Sequence, residues 1–163
     1  MYRSMLVVLI VAAVALTGEV ARAQSAENDL VKKVESLMEY PFTPVQRQKF
    51  IQQLQAAKKD VSRAEDDLVR TVAEFLPLQN FEIRNAVTAK GKSPSDKAPD
   101  PFAILEEKLK RPLTDSEAAK VREARRALRD ATEHIWEDLS RDWAGISGLS
   151  ADDCREIIRE NGI

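Results

Sequence analysis

From Phe50 onward an apolar residue returns at every third or fourth position: Phe50, Leu54, Ala57, Val61, Ala64, Leu68, Val72 and Phe75. Neither proline nor glycine interrupts the chain between Pro44 and Pro77. Steps of three and four align on one face of an α-helix, whereas a strand needs steps of two. The start of this helix is also written in the chain. Thr43 can cap it, Pro44 suits the first helical position, and Gln46 can close a capping box. A helix from Pro44 to about Leu76 would span about 50 Å at 1.5 Å per residue. Its stripe, close to coiled-coil spacing, needs a second helix to cover it.

A second long helix supplies that cover. Leu113-Thr114-Asp115-Ser116-Glu117 is another capping box. Ala118, Val121, Ala124, Leu128, Ala131, Ile135 and Leu139 then share one face as far as about Asp142. Shorter helices are expected over Glu27–Glu39, ended by Pro41, and from Asp100-Pro101 through about Lys110, ended by Pro112. Gly145 and Gly148 read as brackets of a turn, and Ser150 as the cap of a last helix that stops at Asn161-Gly162. Phe81, Ile83 and Val87 amount to an apolar tail with a helical turn. The expected fold is all-α: an elongated helical hairpin or bundle of four to five helices, the two long ones packed along their apolar seams.

The two halves look alike. Val34-Glu35, Met38, Pro41-Phe42-Thr43, Gln46 and Lys49-Phe50 align with Leu105-Glu106, Leu109, Pro112-Leu113-Thr114, Glu117 and Lys120-Val121 at a constant offset of 71 residues. Each half reads as short helix, proline stop, threonine cap, long helix, which suggests an internal repeat over about 25–88 and 101–163. Residues 89–100, rich in Pro, Ser, Lys and Asp, form the linker.

The N-terminus reads as a secretory signal. Arg3 precedes the apolar run Met5–Leu16, and Ala21-Arg22-Ala23 is an A-x-A cleavage signature. Twelve apolar residues are too few to span a membrane as a helix. The expected product is a single helical domain over 24–163, exported to the periplasm with no stable membrane span after processing. Loss of 1–23 leaves 25 − 2 = 23 basic and 27 − 1 = 26 acidic side chains, a net charge of −3. That mild acidity argues against a nucleic-acid partner. Cys154 is the lone cysteine, so no disulfide can form within one chain.

The windows Phe42-Thr43-Pro44-Val45-Gln46 and Leu113-Thr114-Asp115-Ser116-Glu117, the latter running on to Arg122-Glu123, resemble the paired LTxxQ motifs of the periplasmic Spy/CpxP family. Phe42 stands where the motif has Leu, and Glu117 where it has Gln. The resemblance implies a long helical hairpin with extra helices that pairs into a cradle-shaped homodimer. It implies ATP-independent holding of unfolded envelope proteins, or a sensing role in an envelope stress response. The alternative is a structural or assembly subunit that docks one envelope partner by helix-in-groove packing.

No catalytic, cofactor or metal site is expected, and the chain does not read as an enzyme. G-x-S-x-G, H-E-x-x-H, Walker and EF-hand patterns are absent. His134, beside Glu133 and four residues before Asp138, has no second His or nearby Cys to complete a ligand set. The candidate partner-binding residues lie on the second long helix. Arg122, Arg125, Arg126 and Arg129 recur at helical spacing as a cationic rim for acidic segments. Trp136 and Trp143, seven apart, share nearly one face and are either core or anchors for a partner.

Overall fold

A computed structural model describes residues 27–88 and 100–160. The N-terminal segment read as a signal, residues 89–99 and the expected Asn161-Gly162 stop lie outside the described residues. Those described form an all-α protein: α1 (residues 27–35), α2 (Pro44–Ala73), α3 (Asn80–Val87), α4 (Pro101–Leu109), α5 (Asp115–Ser147) and α6 (Ala151–Glu160), with no strand among them.

Both threonine caps close as reciprocal boxes. Thr43 N–H donates to Gln46 Oε1 at 2.9 Å, and Gln46 N–H donates to Thr43 Oγ1 at 3.3 Å. In the second box Thr114 N–H donates to Glu117 Oε2 at 2.8 Å, and Glu117 N–H to Thr114 Oγ1 at 3.2 Å. Each box occupies backbone donors that the first helical turn leaves without acceptors. The preceding residue is tied down the same way in both halves. Phe42 N–H donates to Glu35 Oε1 at 3.3 Å, and Leu113 N–H to Glu106 Oε1 at 3.0 Å.

Three boundaries differ from the sequence reading. The first helix stops at residue 35, where the Ser36 hydroxyl turns back to donate to Lys33 O at 2.7 Å. Such local bonding competes with the helical ladder. The apolar tail at Phe81 is a full helix, α3, whose Glu82 carboxylate accepts from Gln79 N–H at 3.1 Å. Gly145 does not open a turn: α5 continues through it to Ser147, and Gly148 alone takes the left-handed conformation (φ +76°) that ends the helix. Its N–H donates to Ala144 O at 3.0 Å.

The 71-residue correspondence runs on into the third helix of each half. Leu68 and Leu139, Val72 and Trp143, Ile83 and Cys154, Ala86 and Ile157, and Val87 and Ile158 are all buried pairs at that offset. The caps match too: Ser150 N–H donates to Asp153 Oδ2 at 3.2 Å, as Gln79 does to Glu82.

Two compact units result, and they do not coincide with the two halves. One runs to Leu54 and resumes at Ser140; the other is Gln55–Leu139. The first therefore holds α1, the start of α2, the end of α5, and α6. The second holds the rest of α2, then α3, α4 and the start of α5. Each unit thus takes one short helix and the start of a long helix from one half, and the end of a long helix and the terminal short helix from the other.

In the first unit Trp143 stacks on Phe50 with ring centroids 3.9 Å apart, and Phe42 tilts against Phe50 at 5.3 Å. Leu30, Val31, Val34, Leu54, Ile157 and Ile158 are buried in the same unit. In the second unit Leu68, Val72, Leu76, Ile83, Val87, Leu105 and Val121 form one continuous core.

Candidate functional site

The second unit carries an open groove of about 680 Å³ between the faces of α2 and α5. It is walled by Ala64, Leu68 and Thr71 of α2 with Phe75 of the turn that follows, and by Ala124, Ala127, Leu128 and Ala131 of α5. These residues sit where the apolar stripes were expected to meet. Leu68 and Val72 of one stripe and Val121 and Ala124 of the other share one buried core, and the groove opens beside it.

The corresponding positions of the first unit are bridged. Gln53, counterpart of Ala124, donates through Nε2 to Asp142 Oδ2 at 3.1 Å, and Asp142 is the counterpart of Thr71. Gln46 Nε2 also donates to Ile146 O at 3.1 Å, and Ile146 corresponds to Phe75. Alanine at 124 offers no such donor. One unit is laced across the seam, and the other is left open there.

Three carboxylates and one ammonium line the groove. Asp67 accepts from Arg70 at 2.5 Å, and Lys120 lies over the Phe75 ring at 5.3 Å. Glu74, just past the end of α2, and Glu123 on α5 form no ion pair among the described residues.

Large apolar side chains are also exposed, again in one repeat only. Leu37 (56% exposed), Tyr40 (71%) and Val45 (76%) surround the turn before α2, and Phe81 (60%) opens α3. At the 71-residue offset their counterparts are Lys108, Arg111, Ser116 and Asp152.

The residues singled out from sequence separate into distinct roles. Phe42, Thr43, Gln46, Leu113, Thr114 and Glu117 build the two caps. Trp143 is corrected as a partner anchor: it is wholly buried against Phe50 and is core, while Trp136 is half-buried. The four arginines are all exposed, in different surroundings. Arg122 lies over the Phe102 ring at 5.4 Å and Arg129 sits 3.5 Å from Asp130, whereas Arg125 and Arg126 are exposed without an ion pair among the described residues. His134 is exposed and 3.7 Å from Glu137. Cys154 is buried; desolvation pushes its thiol up from the ordinary range, and the Ser147 hydroxyl at 3.9 Å opposes this only in part. Among the described residues no group of His, Cys, Asp and Glu gathers to hold a metal, and no helix is long and apolar enough to cross a membrane.

Charge at the second cap makes it sensitive to acid. Arg111 grips Glu117 through two bonds of 2.7 and 2.9 Å. That pairing first, then the Thr114 N–H, holds the Glu117 carboxyl down at about 2. A carboxyl lower in the folded than in the unfolded chain stabilises above its unfolded value and loses that contribution as pH falls toward its folded one. Stability should therefore drop between about pH 4.5 and about 2. Glu117→Gln, which gives this cap the first one's chemistry, should flatten that part of the curve. Urea midpoints across that range check this, and equal slopes in the two proteins would refute it.

The sequence matches no protein-family model and no curated protein, and the fold matches no solved structure.

Proposed function

We propose that the protein is a periplasmic binding protein that holds non-native envelope proteins without ATP, as a chaperone or envelope-stress accessory akin to the Spy/CpxP family. One observation carries this reading. Leu37, Tyr40, Val45 and Phe81 lie exposed where the other repeat has Lys108, Arg111, Ser116 and Asp152. A packed fold evidently accepts polar groups at these positions, so the apolar ones are not there for the core. Apolar side chains kept at the surface give shallow, plastic contact with exposed segments of another chain. The paired capping motifs and the apolar N-terminal segment support the same reading.

Aggregation of a chemically denatured client, followed by light scattering, tests it. Suppression is expected from substoichiometric to equimolar protein. Replacing Leu37, Tyr40 and Val45 by Lys, Arg and Ser, as in the other repeat, should weaken it. No suppression at any ratio overturns the reading.

The second reading, docking of one envelope partner, is favoured by the confinement of the groove to one unit. Affinity purification from periplasm separates the two: one stoichiometric partner supports docking, and many substoichiometric clients support holding.

A further inference from the structure

The geometry points to the α2–α5 groove of the second unit as a docking site for a cationic amphipathic helix, one whose apolar stripe is flanked by Lys or Arg. This names the partner chemistry for the binding role proposed above and rests on that role.

Three features select this occupant. The first is length. The α5 wall runs from Lys120 to Ala131, a rise of about 16 Å at 1.5 Å per residue, or roughly three helical turns. The second is backbone chemistry. The walls belong to helices whose N–H and C=O groups are used internally, and Thr71 already donates its hydroxyl to Asp67 O at 2.9 Å. An extended peptide would bury unsatisfied backbone there, whereas a helix satisfies its own. Ala64, Ala124, Ala127 and Ala131 also let a third helix approach closely. The third is charge. Glu74 and Glu123 form no ion pair among the described residues and stand on opposite sides of the groove, and Asp67 adds a carboxylate partly met by Arg70. Lys120 is the opposing cation, held over Phe75. Three carboxylates against one lining ammonium favour cations on the flanks of the guest.

The contrast between units adds an independent argument. The first unit's Gln53–Asp142 bond spans the seam that the second unit leaves open at Ala124 and Thr71. Closing this seam is within reach of the fold, and the second unit does not do it.

The test uses two fluorescein-labelled synthetic helices about 12 residues long, ~18 Å, one of Leu, Ala and Lys and the other with Glu in place of every Lys. Anisotropy titrations with the full chain should show binding of the Lys helix and at least roughly tenfold weaker binding of the Glu helix. Thr71→Asp with Ala124→Gln, importing the first unit's bridge, should cost the Lys helix about tenfold or more. Glu74→Lys with Glu123→Lys changes only exposed side chains and should reverse the preference, with circular dichroism and melting unchanged. Equal binding of the two helices, no binding of either, or a preference that Glu74→Lys/Glu123→Lys leaves intact overturns the inference. If the bridged variant fails to fold, the charge-reversed variant decides. Client suppression that survives while wild-type protein binds neither helix removes the groove and spares the chaperone reading. Selective helix binding without suppression removes the chaperone reading and spares the groove.

Discussion

Trp143→Ala should lower unfolding stability by about 3–5 kcal/mol, the range for emptying a buried aromatic site. For a chain of this size that corresponds to a fall in melting temperature of about 10 °C or more. Trp143 is wholly buried, and its ring is the far side of the Phe42–Phe50–Trp143 stack. Truncation removes the stacking partner of Phe50 and leaves a void that α2 and α5 cannot close without moving. Trp143→Phe should be much milder. It keeps an aromatic face toward Phe50 and removes the indole N–H, a buried donor without a hydrogen-bond partner. Thermal and urea unfolding of both variants checks this, and similar losses for Phe and Ala would refute the stacking account.

Leu105→Ala should cost about 2–5 kcal/mol. Leu105 is fully buried and belongs to the core of the second unit with Ile83, Val87 and Val121. It lies on α4, which is nine residues long. A helix that short does not persist in water without tertiary contacts. Removing its main apolar contact therefore releases the element as well as the side chain. Amide exchange across residues 101–109 should accelerate more than in α5. A loss under about 1 kcal/mol, with α4 still protected, would show that Phe102 and Leu109 suffice to hold it.

How far the chain could be read in advance follows from where its signals are local. The long helices were legible because Thr43-Pro44 and Thr114-Asp115 mark their starts within four residues, and the stripes then repeat for several turns. α3 was under-read because it is short and begins at Gln79, a poor N-cap whose box is completed only from Glu82. Trp136 and Trp143 share a face by periodicity, yet one is half-buried and the other wholly so. Which turn of α5 meets Phe50 is a tertiary fact that spacing does not carry. The four arginines were similar. Their helical spacing was plain, but only packing puts Phe102 under Arg122. The open groove could have been found from sequence. Once the halves are aligned, Ala124 against Gln53 and Thr71 against Asp142 show where one seam can be bridged and the other cannot. The exposed Leu37, Tyr40 and Val45 against Lys108, Arg111 and Ser116 could have been read the same way.

The way the halves are shared between the units bears on synthesis. A ribosome releases this chain from its N-terminus, and α1, α2 and α3 emerge together with none of the pieces that complete either core. The second unit must wait for residues as far as Leu139, and the first must wait for α6. Neither core can therefore be completed on half-made product, and the first cannot close until the final helix is made. Such late closure leaves a nascent polypeptide most vulnerable to proteases in the interval before its last helix arrives.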